Sequence, residues 1–345
     1  MIDFIGIEQA QEWDDIVKSF ANYDVYYLSG YVKAFMLHGD GDPYLMHYKG
    51  DRLRAIYVFM MRRTDVSGTF DSITPYGYGG VLFEGKVTLD NCAIFWDAYK
   101  DAMLEMNIID NFVRYHPVLA NAIPMKALTN VVDLGKTIAM DLSSPGIIWD
   151  NIHSKNRNMI RKAEKNGVEI HHAKEKELFK DFRRIYDETM RRDEADDYYY
   201  FGDTFYESIH RDLFDNYEMF WATYNHEIVA MSIMIFANRR LSYHLSGSEI
   251  EYRHLAPSNL LLYEAALWGY EQGMKTFHLG GGIGSREDNL YKFKKGFNKN
   301  SDYQFSIGKD IFDQVKYDEL VKQRMDTDLN FDPKSMFFPL YRMKI

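Results

Sequence analysis

Lys292, Lys294, Lys295 and Lys299 crowd one short stretch around Phe293, downstream of a Gly280-Gly281-Gly282 turn. A lysine beside a reacting carbonyl supplies the cation that a tetrahedral oxyanion needs, commonly the largest single contribution to acyl transfer. The same four residues also fit a solvated helix face. A second basic set, Arg157, Arg161 and Lys165, recurs every fourth residue with Lys155 and Lys162 beside it, so it lines one helical face. Such a stripe either tracks a phosphate backbone or is an exposed face balanced by acidic neighbours. Tyr76-Gly77-Tyr78-Gly79-Gly80 presents two rings on a flexible backbone, which reads as a wall for a sugar or peptide or as a turn with packed tyrosines. Arg114-Tyr115-His116-Pro117 closes a predicted strand and is expected to face the same cleft.

Composition narrows the chemistry further. A chain of 345 residues allows roughly two domains at about 150 residues each. With 46% hydrophobic and 16% aromatic residues it reads as ordered throughout. Forty-one Lys and Arg against 51 Asp and Glu give a net charge of -10, which opposes nonspecific polyanion binding and confines any nucleic-acid contact to a local patch. Cys92 is the only cysteine, so an intrachain disulfide or a Cys-based zinc cluster is excluded and a reducing compartment is expected. His171 and His172 point to opposite faces of a predicted strand and make a poor metal pair. There is no His-Glu-x-x-His helix, Gly-x-Ser-x-Gly elbow or Gly-x-x-x-x-Gly-Lys-Ser/Thr loop, so metalloprotease, hydrolase and P-loop readings fall and no metal is expected. The amino terminus turns acidic before an apolar run develops, and the run Met231–Ala237 is too short to span a bilayer, so a soluble cytoplasmic protein is expected.

The elements that must position these residues follow from periodicity. Helices are predicted near Glu8–Phe20 and Ser29–Leu37, strands at Tyr44–Tyr48, Leu53–Met61 and Thr69–Thr74, then a helix capped by Asp90 and a strand at Ile109–Tyr115. After a break at Ser143-Ser144-Pro145-Gly146, one basic helix from Ile148 to Asn166 ends at Gly167 and a strand follows at Val168–His172. Two helices (176–192 and 204–215), three strands (219–224, 228–237 and 241–246), the helix Pro257–Gln272 and a strand at Thr276–Leu279 complete the order. HYKGDRLRAIYVFMMRR from His47 and TYNHEIVAMSIMIFANRR from Thr223 share one pattern, with Ala55 and Ala230 at matching places. The chain therefore reads as a duplicated α/β (α+β) module, residues 1–145 and 146–345.

The order helix, hairpin, loop, long helix, strand resembles the GNAT fold, in which the loop before the long helix receives a cofactor pyrophosphate. Here that loop is Tyr252 to Asn259. Arg253 and Asn259 are retained as candidate binding residues, but Ala256 and Ser258 stand at the small-residue positions and Pro257 lacks an N–H. With its Gly-Gly-Gly turn and the segment Asp288-Asn289-Leu290-Tyr291-Lys292-Phe293-Lys294-Lys295-Gly296-Phe297, the duplicated chain resembles the armless members of the Fem family of peptidoglycan interpeptide-bridge aminoacyltransferases. The resemblance implies tandem GNAT-like modules and transfer of an amino acid from aminoacyl-tRNA to an amine of a nucleotide- or lipid-linked muropeptide. It implies a Phe293-Lys294 catalytic pair with Lys294 on the oxyanion, and a site where the two modules meet. It places Lys33 on the precursor diphosphate with Arg192, or its neighbour Arg191, as the partner charge, and leaves Arg157, Arg161, Lys165, Lys292 and Lys295 to touch RNA. No cofactor is implied beyond the charged tRNA as co-substrate. Two alternatives stay open: an acyl-CoA or acyl-carrier dependent N-acyltransferase acting on an amino sugar or amine, and a noncatalytic module binding a nucleotide sugar or an RNA end.

Overall fold

In the computed structural model, which describes residues 1–344, the expected hairpins are present and their strands are buried along most of their length. The first unit runs β1 (Ile2–Gly6), α1 (Ala10–Lys18), α2 (Ser29–His38), β2 (Asp42–Lys49), β3 (Leu53–Arg63), β4 (Phe70–Ile73), β5 (Leu82–Gly85), α3 (Leu89–Glu105) and β6 (Ile108–Arg114). The chain continues through β7 (Val131–Asp141), α4 (Pro145–Asn151), α5 (Ser154–Lys165), β8 (Glu169–Ala173), α6 (Leu178–Arg192), α7 (Asp203–Asp212), β9 (Tyr217–Tyr224), β10 (Glu227–Ala237) and β11 (Arg240–Ser248). It ends with α8 (Pro257–Glu271), β12 (Thr276–Gly280), α9 (Asn289–Lys295), β13 (Tyr303–Ile311) and α10 (Gln314–Thr327).

Each unit repeats one topology. In the first, strands lie in the order β1-β2-β3-β4-β6-β13, with β5 on β3 and only the β4–β6 pair parallel; in the second, β8-β9-β10-β11-β12-β7 repeats it, with β11–β12 parallel. A parallel pair needs a crossover, and α3 and α8 supply it. α3 buries Cys92, Phe95, Tyr99 and Met103 along one stripe. α8 buries Leu260, Leu261, Leu262, Ala265 and Ala266, and such a nearly continuous apolar helix must be covered. Gly269 lets it sit close, since a Cβ there would lie 3.0 Å from Leu142 Cδ1 and 3.1 Å from Leu241 Cδ2. Fully burying each leucine contributes about 1.5–3 kcal/mol.

Three sequence expectations are corrected. The single helix expected from Ile148 to Asn166 is two helices, because Ile152 is extended and His153 caps α5 while its N–H donates to the Gly296 carbonyl at 2.9 Å. Ser143–Gly146 does not simply interrupt structure: Ser144 caps α4, its Oγ accepting from Ile147 N, and Pro145 occupies the first turn, where its missing N–H is not needed. Thr88, not Asp90, caps α3.

The division of the chain also differs from a cut at 145. One unit is Met1–Leu134 with Phe305–Ile345, the other Gly135–Gln304. The sixth strand of the first sheet is β13, antiparallel to β6, whereas β7, which follows β6 in sequence, pairs with β12. The segment after β13 stays with the first unit through a buried polar cluster. Tyr341 Oη lies 2.9 Å from Asp71 Oδ2 and 2.6 Å from Asp110 Oδ2, and Arg342 and Arg62 both pair with Asp71. Burial, together with the Asp71 charge, pushes the Asp110 carboxyl up to about 8. The Tyr341 hydroxyl is the donor shared between the two carboxyl groups, and its hydrogen bond opposes part of the rise at Asp110.

Candidate active site

Lys294 is the sequence-selected residue with the most unusual surroundings. It lies in the last turn of α9, is 9% exposed, and its Nζ donates to the Gly281 carbonyl at 2.8 Å. Burial lowers its ammonium from 10.5 to about 8, with the Asp288 charge opposing that shift. Asp288 caps α9: Oδ1 accepts from Tyr291 N at 2.8 Å, and Oδ2 accepts from Ile283 N at 3.0 Å. Burial works to raise its pKa, but backbone N–H donors from Tyr291, Ile283 and Leu290 and the Lys294 charge hold it below the usual carboxylate range.

The glycines explain how the turn fits. Gly280 has φ 78°, a left-handed conformation that side chains resist. A Cβ on Gly281 would stand 2.8 Å from the Lys136 carbonyl, and one on Gly282 would overlap the Arg286 carbonyl and Asp288. One on Gly135 would overlap the Ser285 carbonyl. The far side of α9 is bound by Asn156 of α5, whose Nδ2 donates to Phe293 O at 3.4 Å and fills the space a Gly296 side chain would need.

This turn sits where the second sheet opens. β11 and β12 pair only from Arg240–Thr276 to Ser242–His278, although β11 continues to Ser248. Against β10, Met234 faces Tyr243 and Ile233 faces Leu245, so His244 is the extra residue of a β-bulge. Burial pushes His244 down to about 3, which keeps its imidazole neutral at ordinary pH.

The remaining residues of the second unit fall around this framework unequally. Phe293 packs edge-on against Phe297, with ring centres 5.3 Å apart. Lys292 is exposed, while Lys295 donates to Ser301 O at 2.6 Å and faces Asp302 at 3.7 Å. Arg157 and Arg161 lie over the Trp149 ring at 5.8 and 5.0 Å, and Lys165 continues the solvent side of α5 opposite buried Ile160 and Ala163. Arg192 ends α6 and donates to Ser248 O at 3.2 Å, with Asp193 3.4 Å from its Nε. Arg253 is exposed, and Asn259 is buried in the first turn of α8. Between them, Ala256 N–H donates to Arg253 O, Pro257 has no N–H, and Asn259 N–H donates to Ala256 O. Two of the N–H groups here are thus spent within the chain and one is missing.

In the first unit, Tyr76, Tyr78 and Arg114 do come together. Arg114 Nε donates to Gly77 O at 2.9 Å, and its guanidinium lies 5.9 Å from the Tyr78 ring and 5.0 Å from the Phe305 ring. Tyr76 stacks on Phe35 of α2, the helix that carries half-buried Lys33. Gly77 has φ 91° and lies against Tyr26, so the two-ring turn is built and not merely loose. Beneath it His116 Nε2 faces Asp24 Oδ2 at 3.4 Å with both groups buried, and Leu119 N–H donates to Nδ1.

Asp288, Asp24 and the bulge at His244 had no role assigned from sequence. Asp288 stands three residues before Tyr291, a recognisable N-cap signal. No local pattern announces the other two.

Comparison with known proteins agrees with this architecture. Residues 152–295 match the family described as Acetyltransferase (GNAT) domain. A structure of FemX superposes with a TM-score of 0.68 at 16% identity, covering 92% of this chain and 99% of that one. L-PGS from Bacillus licheniformis gives 0.56 at 14% identity over 86% and 90%. The C-terminal domain (DUF2156) of a putative lysylphosphatidylglycerol synthetase from Agrobacterium fabrum gives 0.55 at 12% over 88% and 91%. No curated protein matches the sequence. Among the described residues no helix is long and apolar enough to cross a membrane. With its module built twice, the chain shares the fold of FemX over nearly its whole length, and its second half carries a stretch that matches a GNAT acetyltransferase domain.

Proposed function

We propose that the chain is an aminoacyltransferase that moves an amino acid from aminoacyl-tRNA to an amine of a cell-wall peptide precursor, with Lys294 as its electrophilic group. The observation that carries this reading is the buried Lys294 ammonium on the Gly281 carbonyl, at the end of the strand where the second sheet opens. An ammonium has three N–H donors, and Gly281 O takes one. The amine nitrogen attacks the ester carbonyl carbon, the carbonyl oxygen becomes an oxyanion facing the Lys294 donors, and the bond to the ribose oxygen breaks. The amine loses a proton and the ribose oxygen gains one, so the step balances without a metal or redox partner.

The α5 stripe of Arg157, Arg161 and Lys165 gives the RNA phosphates a local positive face, and Lys33 in the first unit and Arg192 in the second are each a candidate for a phosphate of the precursor. The Fem resemblance and the name lysylphosphatidylglycerol synthetase on a neighbour support an aminoacyl donor. The match to an acetyltransferase family favours a second reading with an acyl-CoA donor, which the spent N–H groups around Pro257 oppose. Transfer of label from charged tRNA to a muropeptide amine tests the proposal. Absence of transfer with every amino acid, together with stabilisation by coenzyme A, favours the second reading.

A further inference from the structure

Asp288, six residues before Lys294, makes contacts that exceed what a helix cap requires. Asp288 uses both carboxylate oxygens on backbone N–H groups from opposite sides, Tyr291 within α9 and Ile283 of the turn that follows Gly282. One carboxylate therefore ties the helix carrying Lys294 to the turn carrying Gly281 O, its hydrogen-bond acceptor. Gly282 has no room for a side chain because the Arg286 carbonyl and Asp288 occupy that space.

We infer that Asp288 is the positioning residue of this site, a clamp that fixes α9 to the glycine turn and supplies the counter-charge that keeps the buried Lys294 ammonium charged. The inference rests on the role given to Lys294 under the proposed function. The charged residues on the elements against it are Arg286 and Glu287 just before α9, Lys292 and Lys295 along it, Arg157 next to the Asn156 that donates to Phe293 O, and Lys136, whose carbonyl lies against Gly281. Among them Asp288 is the one whose charge acts on Lys294, and Lys294 acts on it in return. Burial drives the ammonium toward loss of its proton, and a carboxylate on the same small scaffold resists that loss. Without the charge, a larger share of the site would hold a neutral amine, a far weaker stabiliser of an oxyanion.

The test separates the cap from the charge. Asp288→Asn and Asp288→Ser both keep a residue able to cap a helix while removing the carboxylate. The Lys294 side chain is titrated by NMR in lysine-labelled protein, its signal assigned by its loss in Lys294→Arg. The expected result is a Lys294 midpoint lowered by about one pH unit or more in both neutral variants, with the alkaline limb of transfer moving by the same amount. Asp288→Glu, which keeps the charge, should recover part of the shift. A folded neutral variant whose Lys294 midpoint equals that of the parent overturns the inference. If the midpoint moves while Lys294→Ala transfers at the parent rate, the charge pairing stands and the role of Lys294 in transfer falls instead.

Discussion

Lys294 Nζ rests 2.8 Å from the carbonyl oxygen of Gly281, thirteen residues earlier in the chain. The hydrogen bond joins the last turn of a short helix to the end of β12, and it holds a cation where burial makes each remaining N–H donor worth more than it would be in water.

Replacing Lys294 with alanine should lower the transfer rate by about 10²–10³ with the fold retained. Circular dichroism and a thermal melt beside the rate assay check both halves of that statement.

The pH profile carries a sign. Because the Lys294 pKa is lowered to about 8, kcat/KM should fall as pH rises through that value and the ammonium is lost. In Lys294→Arg any remaining activity should lack this limb, since guanidinium stays charged. For stability the sign is opposite: the unfolded chain binds the proton more tightly, so this group makes the fold more stable as pH rises from about 8 to 10.5. A urea titration series across that range should show the slope in the parent and not in Lys294→Met.

Charge reversal at Arg161, or at Arg157, should weaken tRNA binding and make its salt dependence shallower, by a slope of about 0.9 for each phosphate the protein no longer neutralises. Binding measured at several salt concentrations reads the slope, and an unchanged slope removes α5 from the RNA face.

Gly135→Ala should cost about 1–3 kcal/mol and depress transfer, because its Cβ would collide with the Ser285 carbonyl and push the glycine turn away from Lys294. Gly202→Ala is the control, since a Cβ there meets nothing within 4 Å. Denaturation midpoints for the two variants make the comparison.

Tyr341→Phe should destabilise the first unit by about 1–3 kcal/mol, since Asp71 and Asp110 lose the hydroxyl between them inside the protein. Asp110 is raised to about 8 in the fold, so its contribution is fully present below its ordinary value of 3.8 and lost as pH rises through about 8. Chemical denaturation at pH 6 and pH 9 should show less pH dependence in Asp110→Asn than in the parent.

Much of this architecture is legible in the sequence because it is local. The stripe Trp13–Val17, the apolar runs of β3 and β10, Pro257 at a helix start and Gly167 at a helix end each depend on near neighbours, and all stand where their patterns place them. The duplicated hairpins gave away a repeated sheet, and the Lys-Phe-Lys-Lys run marked the helix of interest. Other features were hidden. The corner at Ile152–His153 exists because His153 donates to Gly296, and the bulge at His244 exists because β10 and β11 shift register.

Residue order alone determined most of the central helices and strands, that the module occurs twice, and which lysines could do chemistry; it did not reveal β1, β5, β7, β13 or α10. Only the tertiary structure decided that β13 completes the first sheet while β7 joins the second, that Arg192 ends on Ser248, and that Lys294 among four nearby lysines is the buried one, with its charge opposed by that burial. The reason is physical: periodicity and turn chemistry act over a few residues. Strand partners and desolvation depend on groups far apart in the chain, and they exist only once those groups have packed together.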